Sequence, residues 1–170
     1  MFSELTKANL RLRLFALLKI PLLFFCRPRV LALDTDHCVV RIPLRRRTRN
    51  HLNSMYFGAL AVGADLCCGL LALEEARRRG FKVSLIFKSM ECDFLKRAEG
   101  DVHFTCTEGK AVSEMLEETM RTGERVTRPM PIRATVPSVS ETEAVAEFTL
   151  TLCLKRQGNK KPAAEPAASA

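Results

Sequence analysis

The sequence predicts an α+β protein in which an antiparallel sheet of about five strands curls around one long central helix. Residues 55–73 are nearly all apolar or small, and Asp65 is the one charge among them. A helix that is apolar on nearly all sides has to be enclosed by other elements. Most of the segments after it alternate apolar and polar residues, as half-buried strands do. A chain of 170 residues with 47% hydrophobic content builds one such core, and a second domain is not expected.

The composition adds a net charge of +8, which predicts attraction to anions. Nucleic acid, an acidic membrane surface and a phosphate-bearing ligand all fit, and a well-solvated basic surface is the plainer alternative. The seven cysteines form no CxxC pair, and most lie in apolar stretches, where a free cysteine behaves as a small hydrophobe. We therefore expect a reduced, cytoplasmic protein. The scattered His37, His51 and His103 predict no metal site, and we expect no cofactor.

The first predicted element is an amphipathic helix over residues 2–25, which Pro21 breaks or kinks. Its basic residues are Lys7, Arg11, Arg13 and Lys19. Such a helix packs on its own domain, the interpretation that we favour, or makes a peripheral contact with a membrane surface. The predicted organisation is this helical segment over 1–28, a sheet-and-helix domain over 29–156, and a disordered tail over 157–170 that is rich in Lys, Pro and Ala.

The strands are predicted from alternation and from turn residues. Residues 29–44 favour a hairpin or one long bent strand, with a turn at Asp34–Asp36. Four later segments alternate in the same way and are predicted as strands: 82–88, 101–107, 126–136 and 144–155. Gly100 marks the turn between the first two of these, and Pro137 begins the turn between the last two. Residues 109–121 carry apolar residues at helical spacing and predict a short amphipathic helix.

The central helix is expected to begin near the polar cluster Arg49–Ser54 and to end at Arg77–Gly80, where basic residues precede a glycine. A transmembrane helix is the competing interpretation, and Asp65 at the centre and three glycines argue against it. An ionised carboxylate in apolar surroundings is costly unless it is paired or has a function. Asp65 is therefore the leading functional candidate.

The segment Arg49–Gly58, with Asp65 seven positions further on, resembles the central-helix motif of the hotdog-fold acyl-CoA thioesterases. The closest resemblance is to the PaaI-like branch and its DUF4442 group. Residues 94–102 also resemble the strand-turn-strand that follows the helix in that superfamily. The resemblance covers residues 30–156, and it implies the hotdog fold, with the sheet wrapped around the central helix.

The resemblance also implies roles for individual residues. The superfamily carries an Asn, then a His-Gly-Gly triplet, then an acid, and Asn50, Gly58 and Asp65 match the Asn, the second Gly and the acid. Tyr56 and Phe57 stand where the superfamily has His and the first Gly. The resemblance implies that the backbone N–H of Phe57 polarises the thioester carbonyl. It also implies that Asp65 acts as general base or nucleophile and that Asn50 positions the water.

These roles are chemically reasonable without the family. Helix N-termini supply unpaired N–H groups and a favourable dipole to a carbonyl oxygen, and burial raises an acid's pKa toward a useful range. In the superfamily the groups meet across a dimer, so Asp65 of one chain would face Asn50 and Phe57 of the other. Gly58, Tyr56 and Ser84 are expected to contact the substrate, and Ser84 is also a candidate for a contact with Asp65 or the water.

Each assignment has an alternative. Asp65 could be a hydrogen-bonded buried acid, and Asn50 and Asn53 could be helix caps. Gly58 and Gly63 could simply permit close approach to the sheet. The basic run from residue 45 to 49 could bind the phosphates of coenzyme A or stay solvated.

The sequence therefore predicts an acyl-CoA thioesterase that forms a homodimer or a dimer of dimers. The alternative is a non-catalytic hotdog protein that binds an acyl or lipid ligand. Nucleic acid is not expected as a partner, because the chain lacks the interleaved exposed aromatic residues of single-strand binders.

Overall fold

The computed structural model describes residues 3–157, so the predicted tail, apart from Gln157, lies outside the described residues. Four helices and six strands follow one another in the described chain. They are α1 (Glu4–Lys19), α2 (Pro21–Cys26), β1 (Arg29–Leu33), β2 (Cys38–Ile42), α3 (Phe57–Arg78), β3 (Val83–Phe94), β4 (Val102–Cys106), α4 (Gly109–Thr122), β5 (Val126–Val136) and β6 (Ser140–Arg156).

The six strands form one antiparallel sheet in the order β1-β2-β4-β5-β6-β3. The inner face of this sheet curls around α3, which contacts β2, β3, β4, β5 and β6. Residues with almost no exposed surface fill the space between them, including Phe104 on β4, Leu150 and Leu152 on β6, and Leu71 on α3. The predicted architecture is therefore confirmed, with one strand more than the five expected.

The additional strand comes from residues 29–44, which form the hairpin β1–β2 rather than one bent strand. Asp34 explains the turn, since its Oδ1 accepts hydrogen bonds from the backbone N–H groups of Asp36 and His37 at 2.8 and 2.9 Å. An aspartate that binds the backbone N–H groups ahead of it stabilises a tight turn.

The predicted N-terminal helix is present as α1, and the break at Pro21 is confirmed. Ile20 leaves the helical conformation, and Pro21 starts α2 as its first residue, where its missing N–H costs nothing. Asn9 fastens α1 to the edge of the sheet, because its amide accepts from and donates to the backbone of Val30, both at 2.9 Å. The helix thus packs on its own domain through the face that carries Leu12 and Ala16.

Strands β3 and β4 follow each other in the chain but do not pair. β3 pairs with β6 alone, while β4 lies between β2 and β5. Gly100 therefore belongs to a connection between separated strands and not to a hairpin. The consequence is that β3 forms an edge of the sheet with one side of its 12-residue backbone unpaired.

By length and composition alone, α3 could cross a membrane, a property that core helices of soluble proteins share. In this fold it is the core helix, with buried residues on every turn from Ala59 to Ala76. Gly63 sets its distance from the sheet, because a Cβ at that position would lie 2.2 Å from the ring of Phe104. The close-approach interpretation of Gly63 is therefore correct.

Gly63→Ala should destabilise the fold by about 1–3 kcal/mol, the usual cost of overpacking a core. The matched control is Gly69→Ala in the same helix, where a Cβ would meet nothing within 4 Å. That change should be neutral or stabilising by about 0.5–1 kcal/mol, because alanine favours a helix interior over glycine. Urea unfolding of both variants measures the difference. Equal free energies of unfolding would contradict the packing described for Gly63 and Phe104.

Candidate active site

The loop that leads from β2 into α3 is held by a buried threonine. Thr48 is almost completely buried, and its Oγ1 accepts from the backbone N–H of Arg45 at 3.0 Å and donates to the carbonyl of Pro43 at 2.7 Å. Its own carbonyl accepts from the N–H of Tyr56 at 2.8 Å. Both ends of the loop therefore meet at Thr48, which fixes where α3 begins.

Asn50 organises the tip of this loop. Its Oδ1 accepts from the backbone N–H groups of Leu52 and Ser54 at 2.9 and 3.2 Å, and its Nδ2 donates to the hydroxyl of Ser54 at 3.1 Å. Asn53 occupies the left-handed region at φ 62°, a conformation that asparagine tolerates. Neither asparagine caps α3, so the helix-cap alternative is wrong: the polar cluster builds a turn ahead of the helix.

The helix itself starts at Phe57, with Tyr56 as its N-cap residue and no side chain capping it. Among residues 3–157, no group accepts a hydrogen bond from the backbone N–H of Phe57 or of Gly58. Two donors at the positive end of the helix dipole are thus available to an anion or a polarised carbonyl. The N–H of Phe57, which the resemblance implies as the donor to the thioester carbonyl, has no acceptor in the described chain. The N–H of Gly58 has none either.

Two aromatic rings frame these donors. The rings of Tyr56 and Phe57 lie 4.6 Å apart between centroids, and the side chains are 49% and 59% exposed. Gly58 makes room for the first ring, because a Cβ there would lie 2.6 Å from Cε1 of Tyr56. Gly58 therefore accommodates Tyr56 and not the sheet. Because both residues are about half exposed, their rings present apolar surface beside the free N–H groups.

Asp65 lies on the part of α3 that the sheet leaves half-covered. Burial raises the pKa of its carboxyl, and within the described chain no cation and no hydrogen bond opposes that effect. The interpretation of Asp65 as a hydrogen-bonded structural acid therefore does not describe this chain. A half-buried carboxylate without a partner fits a group that accepts a proton or meets a ligand.

Phe57 and Asp65 cannot act directly on the same carbonyl group within one chain. At 1.5 Å per residue, eight residues separate them by about 12 Å along the helix axis. A reacting carbonyl needs its hydrogen-bond donor and its attacking atom each at roughly 3 Å. The structure gives Asn50 no contact with Asp65 either, because its amide is engaged with Leu52 and Ser54.

Ser84 does not belong to this site in the chain. It lies on β3 opposite Lys155 of β6, and its side chain is exposed on the face turned away from the core. Its neighbours Val83 and Leu85 pack towards the core instead. Alternation along a strand sends adjacent side chains to opposite faces, which explains why the predicted contact of Ser84 with Asp65 is absent.

Two features of the site escape sequence reasoning. Thr48 lies inside an arginine run whose charge predicts a solvated loop. No neighbouring residue in the sequence indicates that this threonine is buried. The N–H of Met55 donates to the carbonyl of Ala98 at 2.8 Å, a contact between segments far apart in the chain. The basic side chains around Thr48, at positions 45, 46, 47 and 49, are exposed.

Comparison with known proteins identifies the family of this chain. Residues 9–154 match the family described as a domain of unknown function, DUF4442. The chain belongs to the DUF4442 family. No curated protein matches it.

Solved structures share the fold. A Pseudomonas aeruginosa protein of unknown function, named a probable thioesterase, is 24% identical, with 88% of this chain and 95% of that chain covered and a TM-score of 0.71. A Chlorobaculum tepidum protein of unknown function is 12% identical, with 90% and 97% covered and a TM-score of 0.78. Zebrafish thioesterase superfamily member 2 is 14% identical, with 92% and 100% covered and a TM-score of 0.63. The DUF4442 chain therefore has the hotdog fold.

Asp65→Asn should raise the melting temperature at neutral pH, because the amide avoids the cost of a half-buried charge. Because the pKa is raised in the folded state, this cost is absent below the ordinary aspartate pKa of about 3.9, grows as the pH rises above that value, and is fully present above the folded pKa. The melting temperatures of the variant and the parent protein should therefore converge below about pH 4.

The matched control is Asp36→Asn, a change at an exposed turn aspartate. The change in melting temperature between neutral and acidic pH should be the same for this variant as for the parent protein. A lower melting temperature for Asp65→Asn at neutral pH would show that the carboxylate has a stabilising partner.

Proposed function

We propose that this DUF4442 protein hydrolyses acyl-CoA thioesters at a site shared by two copies of the chain. One observation carries the proposal: a single core helix holds two free N–H groups at its start and an unpartnered, half-buried acid two turns later. Acyl transfer needs both kinds of group, one for the carbonyl oxygen and one for the attacking water. Two of the solved structures with the same fold, which are named a probable thioesterase and a thioesterase superfamily member, support the same reaction class.

The helix start would stabilise charge on the thioester oxygen. The N–H groups of Phe57 and Gly58 lie at the N-terminal end of the helix. Together with the helix dipole, they would stabilise the negative charge that develops on the carbonyl oxygen. Both donors are fixed before the substrate arrives, because Thr48 holds the preceding residue, Tyr56, by its backbone. Such preorganised donors contribute about 10²–10³ in rate when measured by removal of one of them.

Asp65 would act as the general base. Its carboxylate takes a proton from water while the oxygen of that water bonds to the carbonyl carbon, and the tetrahedral intermediate then collapses. The C–S bond breaks, and the departing thiolate of coenzyme A takes the proton back from Asp65. The raised pKa makes the carboxylate a stronger base than an exposed aspartate, which favours the first proton transfer.

A dimer would bring the two halves together. The free edge of β3 exposes apolar side chains at Ile86, Met90 and Phe94, and a long apolar edge strand favours pairing with another strand. A two-fold axis beside this edge would place the half-covered faces of the two α3 helices against each other. Phe57 of one protomer could then lie opposite Asp65 of its partner, which overcomes the separation of about 12 Å within one chain.

The aromatic pair is the expected acyl contact. Tyr56 and Phe57 offer exposed apolar surface next to the free N–H groups, where the chain attached to the carbonyl would lie. Both rings are larger than the His and Gly of the PaaI-like motif, so they narrow this approach. We therefore propose that these two residues select among acyl chains.

Two substitutions at Phe57 test the oxyanion role separately from the ring. Phe57 is the first helical residue, where proline is tolerated, and Tyr56 has the extended conformation that proline requires before it. Phe57→Pro should lower kcat by about 10²–10³ with the fold retained, because it deletes the N–H. Phe57→Ala keeps the N–H and should retain hydrolysis with an altered preference for acyl length.

The assay is release of coenzyme A from short, medium, long and aromatic acyl-CoAs, with Asp65→Asn as the second variant. Asp65→Asn should lower kcat by about 10²–10⁴, the usual contribution of a general base. Binding of acyl-CoA without hydrolysis of any of them would contradict the proposal and favour the non-catalytic acyl-binding alternative. Undiminished hydrolysis by Asp65→Asn would show that another group is the base.

A further inference from the structure

The outer face of α1 is apolar although it faces solvent. Leu10, Leu14, Leu17 and Leu18 follow the spacing i, i+4, i+7 and i+8, which places them on one side of a helix. These four leucines are 53–69% exposed, whereas Leu12 on the opposite side is buried. The helix therefore has two apolar sides, one packed on the domain and one without a partner in the described chain.

The short helix α2 extends this surface. Its residues Leu22, Phe24 and Phe25, and Ile20 between the two helices, are each 40% or more exposed. A soluble monomer rarely exposes so many large apolar side chains in one place, and such patches mark sites of association. We name the exposed apolar residues of α1 and α2 the leucine face.

A basic cavity lies next to the leucine face. It has a volume of about 1050 Å³. Its apolar wall includes Leu12 and Ala16 from the packed side of α1 and Phe24 and Phe25 from the leucine face. No acidic residue lines it, and the remaining wall is rich in arginine: Arg13, Arg27, Arg29, Arg41, Arg45, Arg46 and Arg47. Of these arginines, only Arg41 and Arg45 reach a carboxylate within the described chain, that of Asp101. The cavity is therefore strongly positive and open to an anion.

The backbone and the rings hold this arrangement in place. Arg27 adopts the left-handed conformation at φ 52°, where an L side chain is strained, and so it ends α2 at a cost that glycine would avoid. The guanidinium of Arg47 lies 5.2 Å from the ring centroid of Phe25 and donates to the carbonyl of the same residue at 3.3 Å. The arginine loop is thus fastened to the apolar helix beside it.

We propose that this surface docks on an anionic lipid bilayer, with the leucine face in the interfacial region and lipid phosphates in the arginine cavity. Apolar helices flanked by basic side chains bind at such interfaces, where apolar burial and attraction to anionic headgroups add. A second copy of the chain fits less well, because a two-fold contact sets the same patch against itself and would bring arginines together. The proposal does not depend on thioester hydrolysis.

The test is co-sedimentation of the full chain with vesicles. Vesicles of phosphatidylcholine mixed with phosphatidylserine should bind the protein, vesicles of phosphatidylcholine alone should bind it more weakly, and added salt should lower binding to the anionic vesicles. Leu14→Asp should abolish binding because it places a charge in the centre of the leucine face. The matched control is Val139→Asp, which adds the same charge at an apolar side chain that is 72% exposed in the β5–β6 turn.

Two further variants test the arginines. Arg46→Ala should weaken binding to the anionic vesicles about fivefold, whereas Arg125→Ala, at an exposed arginine outside the cavity, should not. Arg27→Gly removes a cavity charge and relieves the left-handed strain. It should weaken vesicle binding about fivefold while the melting temperature stays equal or rises. A structural role for Arg27 would instead lower the melting temperature.

Two results would overturn the proposal. The first is no binding to either vesicle type, and the second is equal binding to neutral and anionic vesicles with both arginine variants unchanged. If the first result came with loss of self-association by Leu14→Asp in sedimentation velocity, the leucine face would belong to contacts between copies of the chain.

Discussion

The structure depends on how closely α3 approaches the sheet. Gly63 has no side chain, so the ring of Phe104 can lie against the helix backbone, and the sheet curls around the helix from that contact. A sheet that wraps one side of a helix leaves the other side half-covered. Asp65 lies on that remaining side, and the same packing that builds the core therefore determines which residues a second molecule can reach.

The start of α3 is fixed by a different device. Thr48 joins the two ends of the preceding loop, and Asn50 folds the loop tip by satisfying backbone groups. These hydrogen bonds all lie in the loop before the helix, and none of them caps the helix. The first N–H groups of α3 remain free as a result, and a free helix start together with an unpartnered acid is an arrangement that costs stability in one chain.

Local patterns predicted the elements well. The alternation over residues 126–136 matches β5 residue for residue, and Gly123 ends α4 in the left-handed conformation. The start of α3 was misplaced because Asn50 has the chemistry of a helix cap and uses it in a turn instead. The contact of Ser84 with Asp65 is absent within one chain because the sheet turns that side chain outwards, and the face on which a residue lies depends on the register of the whole strand.

What the sequence could not supply was the set of contacts between distant segments. The pairing of β3 with β6, which creates the free edge, depends on the order of strands in the sheet and not on any local signal. The arginine cavity is of the same kind, since it gathers Arg13, Arg27 and Arg46 from three segments of the chain. The candidate pair Asp65 and Phe57 came from spacing and resemblance, and their separation of about 12 Å follows from eight residues of helix. What needed the structure was the lack of a hydrogen-bond partner for either group within the described chain.

The central claim is that one chain supplies the N–H and its partner supplies the acid. Mixing the inactive variants Asp65→Asn and Phe57→Pro after unfolding and refolding tests it most directly. A mixed dimer then has one site with both defects and one intact site, so random mixing in equal amounts should restore about a quarter of the parent activity. No recovery of coenzyme A release, from mixtures shown to contain mixed dimers, would contradict the shared site.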